Sequence, residues 1–260
     1  MPPSRDSSTT PFEDAAYYDA LIDWPKRLAR EEPFFRKHFE AVNVRRLLDT
    51  ACGTGRHAAM FHAWGIEVEA ADLSAAMIEQ ARRMYGQHPN LRWVQRSFTE
   101  PVDAPCAFDA VVCLGNSLAL AQAPADRDRA CSAMWDALRD GGVCILQVLN
   151  LWRVPEGPTQ WQKCVRVELD GRDHVLLKAL HRAGDRGHVD LIDLTLSDKG
   201  GVTQRAESAC FAGIEADQLR GRLRALGADP VLLYGDYEGT PYDRDAGTDL
   251  IVVAHKPGSR

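Results

Sequence analysis

No stretch of this sequence approaches the ~20 consecutive apolar residues that a membrane-spanning helix needs, and its first residues lack the apolar core of a signal peptide. A cytoplasmic protein without membrane contact is therefore expected. Nor is there any run of lysine and arginine, and the formal net charge is −6. A nucleic-acid partner ordinarily leaves a basic footprint, so that class is set aside. The 7 cysteines are odd in number and form no C-x-x-C pair, which reads as reduced, mostly buried thiols. No carboxylate cluster with metal-binding spacing closes a strand, and no metal is expected. Internal repeats and low-complexity core segments are missing as well. What remains is 260 residues of ordinary globular composition, 45% hydrophobic and 26% charged, long enough to bury a full core.

Residues 1–11 are polar and rich in proline, serine and threonine, the composition of a disordered tail. From Tyr17 to about Val42 the pattern turns helical. Leu21, Ile22, Leu28, Phe34, Phe35 and Phe39 recur at helical spacing, and Pro25 and Pro33 are expected to divide the region into short helices. Strands and helices then alternate. Residues 46–50, 66–71, 91–95, 108–114 and 143–149 are strand candidates, with helical stretches after Gly55, Ser74 and Pro124. Such alternation argues for a parallel sheet covered on both faces. Three extended runs between residues 175 and 211, broken by AGDRG and SDKGG, read as an antiparallel unit. A helix (215–226) and two strands (230–234 and 249–255) follow, the strands joined by a long loop that holds Tyr237 and Tyr242.

The sharpest signal is LLDTACGTGRHA, residues 47–58. An apolar run ends in Asp49, and Gly53 and Gly55 flank a threonine before a new helical segment begins. Strand, tight turn and helix in that order leave backbone N–H groups free beside a helix N-terminus. Gly53, Gly55 and Ala58 satisfy G-x-G-x-x-[G/A], so a nicotinamide-dependent oxidoreductase stays open on that pattern. Asp49 stands where a pyrophosphate would want no negative charge, and a cationic or amino-bearing ligand would accept it readily. Asp72 closes the next strand in VEAADLSAAMI, 17 residues after Gly55, placed to accept both hydroxyls of a ribose. The constellation asks for a nucleoside with a positively charged, phosphate-free tail. S-adenosylmethionine fits.

LLDTACGTG, EAADLSAAMIEQAR and LRDGGVCILQV also resemble, in order, the glycine-rich turn, ribose-binding strand end and fifth strand of class I S-adenosylmethionine-dependent methyltransferases. The resemblance runs from about Tyr17 to His255. FDAVVCLGNSLA and YGDYEGTPY are similar to the glycine N-methyltransferases in particular. The implied fold is a doubly wound α/β arrangement. It has a seven-stranded, mostly parallel sheet whose last strand runs antiparallel, with N-terminal helices and an antiparallel β insert covering the active-site edge. The same resemblance divides the chain into a tail (1–16), a helical lid (17–44), a Rossmann-like core (45–157), the insert (158–211) and a closing helix with two strands (212–260). For the cofactor it implies Ala51, Gly53 and Gly55 beside the methionine moiety, next to Asp49, and Arg27 at its carboxylate. Asp72 would hold the ribose, Leu73 and Met77 would flank the adenine, and Ser97 and Phe98 would lie at its far edge. The Leu114 carbonyl would lie near the sulfonium. Many relatives carry aspartate where this chain has Ser97.

On the acceptor side the resemblance points to Asn116, with Tyr18 and Tyr242 beside it and Tyr17 and Tyr237 as further cleft candidates. The glycine enzymes place a histidine shortly after this stretch, where this chain reads SLAL. Arg153, Arg166 and Arg182 compete as partners for a substrate carboxylate. Displacement at a sulfonium carbon needs alignment more than it needs a base when the nucleophile is a neutral amine. A phenol would need a base, for which His38, His57 and His181 are the candidates. The expected activity is methyl transfer to a small polar molecule, by preference an amine. O- or S-methyl transfer is the alternative within the class, and a silent S-adenosylmethionine-binding module the alternative outside it. A homo-oligomer is compatible with the sequence.

Overall fold

The computed structural model describes residues 15–103, 105–197 and 200–258; the polar segment 1–11 lies outside them. Helices α1 (Ala15–Ala20) and α2 (Trp24–Ala41) come first. Asp23 caps α2 by accepting the Lys26 N–H at 3.2 Å, and Pro25 sits in the first turn, where a missing N–H is harmless. Pro33 does not divide the region as expected, because α2 runs through it. The lost backbone hydrogen bond and ring clash cost about 3 kcal/mol. Burial of Phe34, Phe35 and Phe39 on the following turn offsets that cost, at about 1.5–3 kcal/mol per side chain.

Alternation follows: β1 (Arg46–Asp49), α3 (Arg56–Ala63), β2 (Glu67–Asp72), α4 (Ala75–Tyr85), β3 (Leu91–Gln95), β4 (Phe108–Cys113), α5 (Ser117–Leu120), α6 (Pro124–Ala137) and β5 (Leu138–Leu149). Next come β6 (Gln160–Leu169), β7 (Arg172–Ala183), β8 (Arg186–Leu196), β9 (Val202–Ala212), α7 (Ala216–Ala225), β10 (Val231–Tyr234) and β11 (Asp249–His255). The main sheet runs β10-β11-β5-β4-β1-β2-β3, with β11 antiparallel to both of its neighbours and the other pairs parallel. Its central strands are continuous apolar runs because helices cover both faces, as in Val111, Val112 and Cys113, all fully buried.

The insert is a four-stranded antiparallel meander, β6-β7-β8-β9, where the sequence had shown three extended runs. The extra strand, β6, lies at the edge with most side chains exposed, Trp161 at 61%, so its apolar alternation is weak. This sheet packs on the N-terminal helical region through Leu176 and Leu191 against Tyr17 and Leu21. It thereby roofs the carboxyl edge of the main sheet.

One glycine of the opening turn serves packing. A Cβ on Gly55 would fall 2.5 Å from the Trp93 ring, at a φ of +81° that also strains an L residue. Gly55→Ala is expected to destabilise the fold by about 2–5 kcal/mol, overpacking and left-handed strain together. Urea unfolding of the variant measures it, and an unchanged midpoint would contradict the packing.

Candidate functional site

The carboxyl ends of β1, β2, β4 and β5 open into a cavity of about 550 Å³, a volume typical of small-molecule sites. Asp49, Ala51, Gly53, Asp72, Leu114 and Asn116 line its floor, and Gln162, Lys178 and Leu191 reach it from the second sheet. Tyr18, Trp24 and Arg27 line it from the N-terminal helices α1 and α2. A second hollow of about 370 Å³ adjoins, sharing Ala51, Asp72, Ser117 and Leu120 and adding Leu73, Ser97 and Phe98. Asn116 lies at the mouth of β4, at the edge where open α/β sheets gather ligands.

The floor is a strand end locked to a turn. Asp72 Oδ2 accepts the Gly53 N–H at 2.8 Å, and Oδ1 accepts the Ser74 N–H at 2.9 Å, which leaves each oxygen a further lone pair. A Cβ on Gly53 would meet nothing nearer than the Tyr18 ring at 3.8 Å, and one on Gly115 would meet the Tyr18 hydroxyl at 3.9 Å. Both backbones therefore border a slot beneath Tyr18. Two anchors hold α1 there. Asp19 accepts from Thr54 Oγ1 at 2.8 Å and from Arg56 at 2.9 Å. The Tyr17 hydroxyl donates to the buried Asp193 at 2.8 Å, which also binds His174.

Beyond the turn lies a polar corner. Gln147 Oε1 accepts the Gly115 N–H at 2.7 Å, and Gln147 Nε2 donates to Asp249 Oδ1 at 2.7 Å. Asn116 sits at a φ of +70°, and its Oδ1 accepts the Leu149 N–H at 2.9 Å. Its amide N–H groups are the part left for a ligand. Arg27 Nε donates to Glu31 at 2.9 Å, and His57 Nε2 binds the same carboxylate at 2.7 Å. Burial opposes the Glu31 charge, but the His57 hydrogen bond and the Arg27 charge hold its carboxyl below the ordinary range. Burial also lowers His57, so it stays neutral and serves as the donor. Burial likewise lowers Lys178, and the charges of Lys163 and Arg27 add to the effect.

Several sequence candidates fall elsewhere. Gly55 packs on Trp93, and the side chain of Met77 is buried at the start of α4, neither lining the cavity. Tyr242 is also outside, its hydroxyl donating to Asn150 at 3.2 Å, and Tyr17 is engaged with Asp193; Tyr237 and Tyr18 are the tyrosines that reach the wall. The Ser97 hydroxyl is bound to Thr99 at 2.9 Å. Arg153, Arg166 and Arg182 lie outside, as do His38 and His181. The sequence reading missed Glu31, Gln147, Lys178 and Asp249. Gln147 left one signal, a polar residue inside the apolar run CILQVL.

Residues 47–142 match the methyltransferase domain family. The glycine/sarcosine N-methyltransferase of Aphanothece halophytica is 33% identical over 256 residues, covering 92% of this chain and 86% of that protein. The chain belongs to the class I methyltransferases, in the glycine/sarcosine N-methyltransferase family. Against the glycine/sarcosine/dimethylglycine N-methyltransferase of Actinopolyspora halophila this methyltransferase is 32% identical, and it spans 41% of that longer protein. The sugar N-methyltransferase KedS8 from Streptoalloteichus sp superposes with a TM-score of 0.76 at 26% identity, over 99% of this chain and 97% of that one. CalS10, an amino pentose methyltransferase from Micromonospora echinaspora solved with its cofactor bound, shares the fold with a TM-score of 0.71 at 22% identity, over 98% and 100% of the two chains.

The methyltransferase offers what S-adenosylmethionine needs. The Gly53 turn and Gly115 leave the slot beneath Tyr18 clear of side chains, and Asp72 retains acceptor capacity. The buried Tyr237 hydroxyl on the wall has no hydrogen-bond partner among the described residues. Asp49 would face the cationic end. Burial pushes its carboxyl up to about 7, against the pull of the Ala51 N–H and with Asp72 adding. It is therefore neutral below about 7 in the folded protein and ionised above, where a cation is attracted. S-adenosylhomocysteine, which keeps a cationic amino group, is expected to bind about tenfold more tightly at pH 8 than at pH 6, releasing a proton. Asp49→Asn should flatten that dependence. Titration calorimetry in buffers of different ionisation heat checks both, and a flat wild-type profile would remove Asp49 from the cationic end.

Proposed function

We propose that this enzyme methylates the nitrogen of a small, polar amine inside this cavity. The observation that carries the reading is cover from three sides: the N-terminal helices, the second sheet and the final loop all contribute to one cavity, with Asn116, Gln147 and Asp249 past the glycine turn. Such a space is sized for a small molecule. The names of the Aphanothece and Actinopolyspora relatives and of KedS8, each an N-methyltransferase, support the same choice of atom. In this reading residues 17–44 form the lid, 45–157 with 212–260 hold the cofactor, and 158–211 cover the acceptor. All seven cysteines carry free thiols, which suits the cytoplasm.

S-adenosylmethionine, when bound, supplies a methyl group on a positively charged sulfur. The protein has to align a nitrogen lone pair with that carbon and keep water away, since the thioether leaves without a proton. Tyr18 covers the glycine backbones of the slot, and Asn116 presents its amide N–H groups to the acceptor. Arg27 would hold the carboxylate end of the cofactor and Asp72 its ribose. Incubation with S-adenosylmethionine and a panel of amines, phenols and thiols, read by mass spectrometry, tests the proposal. Methylated amine as the main product is expected; a phenol, thiol or macromolecule as the best acceptor would overturn it.

A further inference from the structure

The cavity wall carries a carboxylate that cofactor binding leaves without a task. Asp249 opens β11, whose pairing sets it opposite Leu149, the residue whose N–H Asn116 accepts. Its Oδ1 takes the Gln147 amide at 2.7 Å, its Oδ2 takes the Thr248 hydroxyl at 3.1 Å, and it lines the cavity. Gln147 commits its oxygen to the Gly115 N–H, so its donor side is fixed toward Asp249. Arg27 and Arg30 of α2 and Tyr237 of the final loop face Asp249, and Glu31 and Lys178 share the cavity. No lysine, arginine or histidine forms an ion pair with it among the described residues.

A largely enclosed carboxylate held only by neutral donors costs free energy unless a cationic or protonated group reaches it. The cavity's other carboxylates are committed. Glu31 is bound by Arg27 and His57, while Asp72 and Asp49, at the glycine turn, would serve the ribose and the cationic end of the cofactor. Asp249 is the one that stands in the acceptor corner with Asn116.

We propose that Asp249 is a catalytic residue that receives the acceptor as its ammonium form and takes one proton from the nitrogen, with Gln147 as its positioning residue. The proposal rests on the amine reading above. An amine near neutral pH is mostly protonated, and its lone pair is then unavailable. Transfer of one N–H proton to the Asp249 carboxylate leaves a neutral amine and a carboxylic acid. The freed lone pair forms the N–C bond while the C–S bond breaks and its electron pair stays on sulfur. The positive charge passes from sulfur to the methylated nitrogen, and the Asp249 proton later leaves to solvent. Burial raises the Asp249 carboxyl, against the Gln147 and Thr248 hydrogen bonds and the Arg27 and Arg30 charges, which suits a proton acceptor.

The test compares wild-type enzyme with Asp249→Asn from pH 6.5 to 9.5, using glycine, sarcosine and dimethylglycine as acceptors and following whichever the wild type turns over fastest. The variant is expected to lose about 100-fold in kcat/KM at pH 7. The deficit should shrink about tenfold per pH unit up to pH 9, because only free amine then reacts, and S-adenosylhomocysteine affinity should stay within a few-fold. A deficit independent of pH would mark a structural role and overturn the assignment. Should the variant not fold, the wild type alone decides. A kcat/KM rising tenfold per unit across pH 6.5 to 9 would mean that no protein group takes the proton, whereas a shallow rise is expected. Methyl transfer to none of the amines would overturn the amine reading itself, and the assignment with it.

Discussion

Asp72→Ala is expected to weaken S-adenosylhomocysteine binding by about 30- to 150-fold, or roughly 2–3 kcal/mol, the worth of a charge-assisted pair of hydrogen bonds to a ribose. Both carboxylate oxygens already hold a backbone N–H, one from Gly53 and one from Ser74, so the carboxylate is fixed in place before any ligand arrives. Truncation removes the acceptors and also releases the glycine turn. The two effects act in the same direction on affinity. On stability they partly cancel, because burial raises the Asp72 carboxyl and its removal relieves that burden while freeing two N–H groups. The fold should therefore survive, and circular dichroism would show it. Asp72→Asn separates the contributions. One amide oxygen can still accept, but the NH₂ must point at a backbone donor or at a ribose hydroxyl, so a loss of about tenfold is expected. Calorimetry on both variants checks the order. A folded Asp72→Ala protein with wild-type affinity would sink the ribose assignment.

The parallel core was legible because its strands are buried on both faces and so read as unbroken apolar runs, and because its opening turn needs glycine. Gly53 adopts a φ of +53°, which L side chains rarely take. Even there the sequence did not distinguish two reasons for glycine. Gly53 keeps a slot clear, whereas Gly55 makes room for Trp93. Pro33 misled because local propensity was overruled by the aromatic face of α2. The helix α5 has four residues, too few for a periodic signal. The acceptor corner was hidden for a different reason. Gln147, Lys178 and Asp249 come from three strands in two sheets, and no local pattern links them until β5 pairs with β11 and the meander folds over. Tyr237 and Tyr242 stand five positions apart on one loop, yet Tyr237 packs edge-on against Phe34 at 5.4 Å and faces the cavity while Tyr242 turns to Asn150. Loop conformation decided between them.

Asn116→Asp is expected to depress turnover of the acceptor by about 100-fold, a loss of the size that misplacing a reactant produces, with cofactor affinity within a few-fold. The choice of aspartate follows from what Asn116 does for the fold. Its φ of +70° suits asparagine, aspartate or glycine, and its Oδ1 holds the Leu149 N–H. Alanine would be strained there and would orphan that N–H, at about 2–4 kcal/mol of stability together. Asn116→Ala thus confounds folding with catalysis. Aspartate keeps both the backbone conformation and the acceptor; it deletes the amide N–H groups that face the cavity and brings a carboxylate in their place. The deficit should appear in kcat more than in KM. A second carboxylate close to Asp249 would hold the acceptor's ammonium form, which binds well but keeps its lone pair on a proton. Steady-state kinetics with the preferred amine, beside calorimetry with S-adenosylhomocysteine, read the two quantities separately. Wild-type turnover by folded Asn116→Asp would mean that the acceptor does not meet this amide and that the polar corner serves the fold alone.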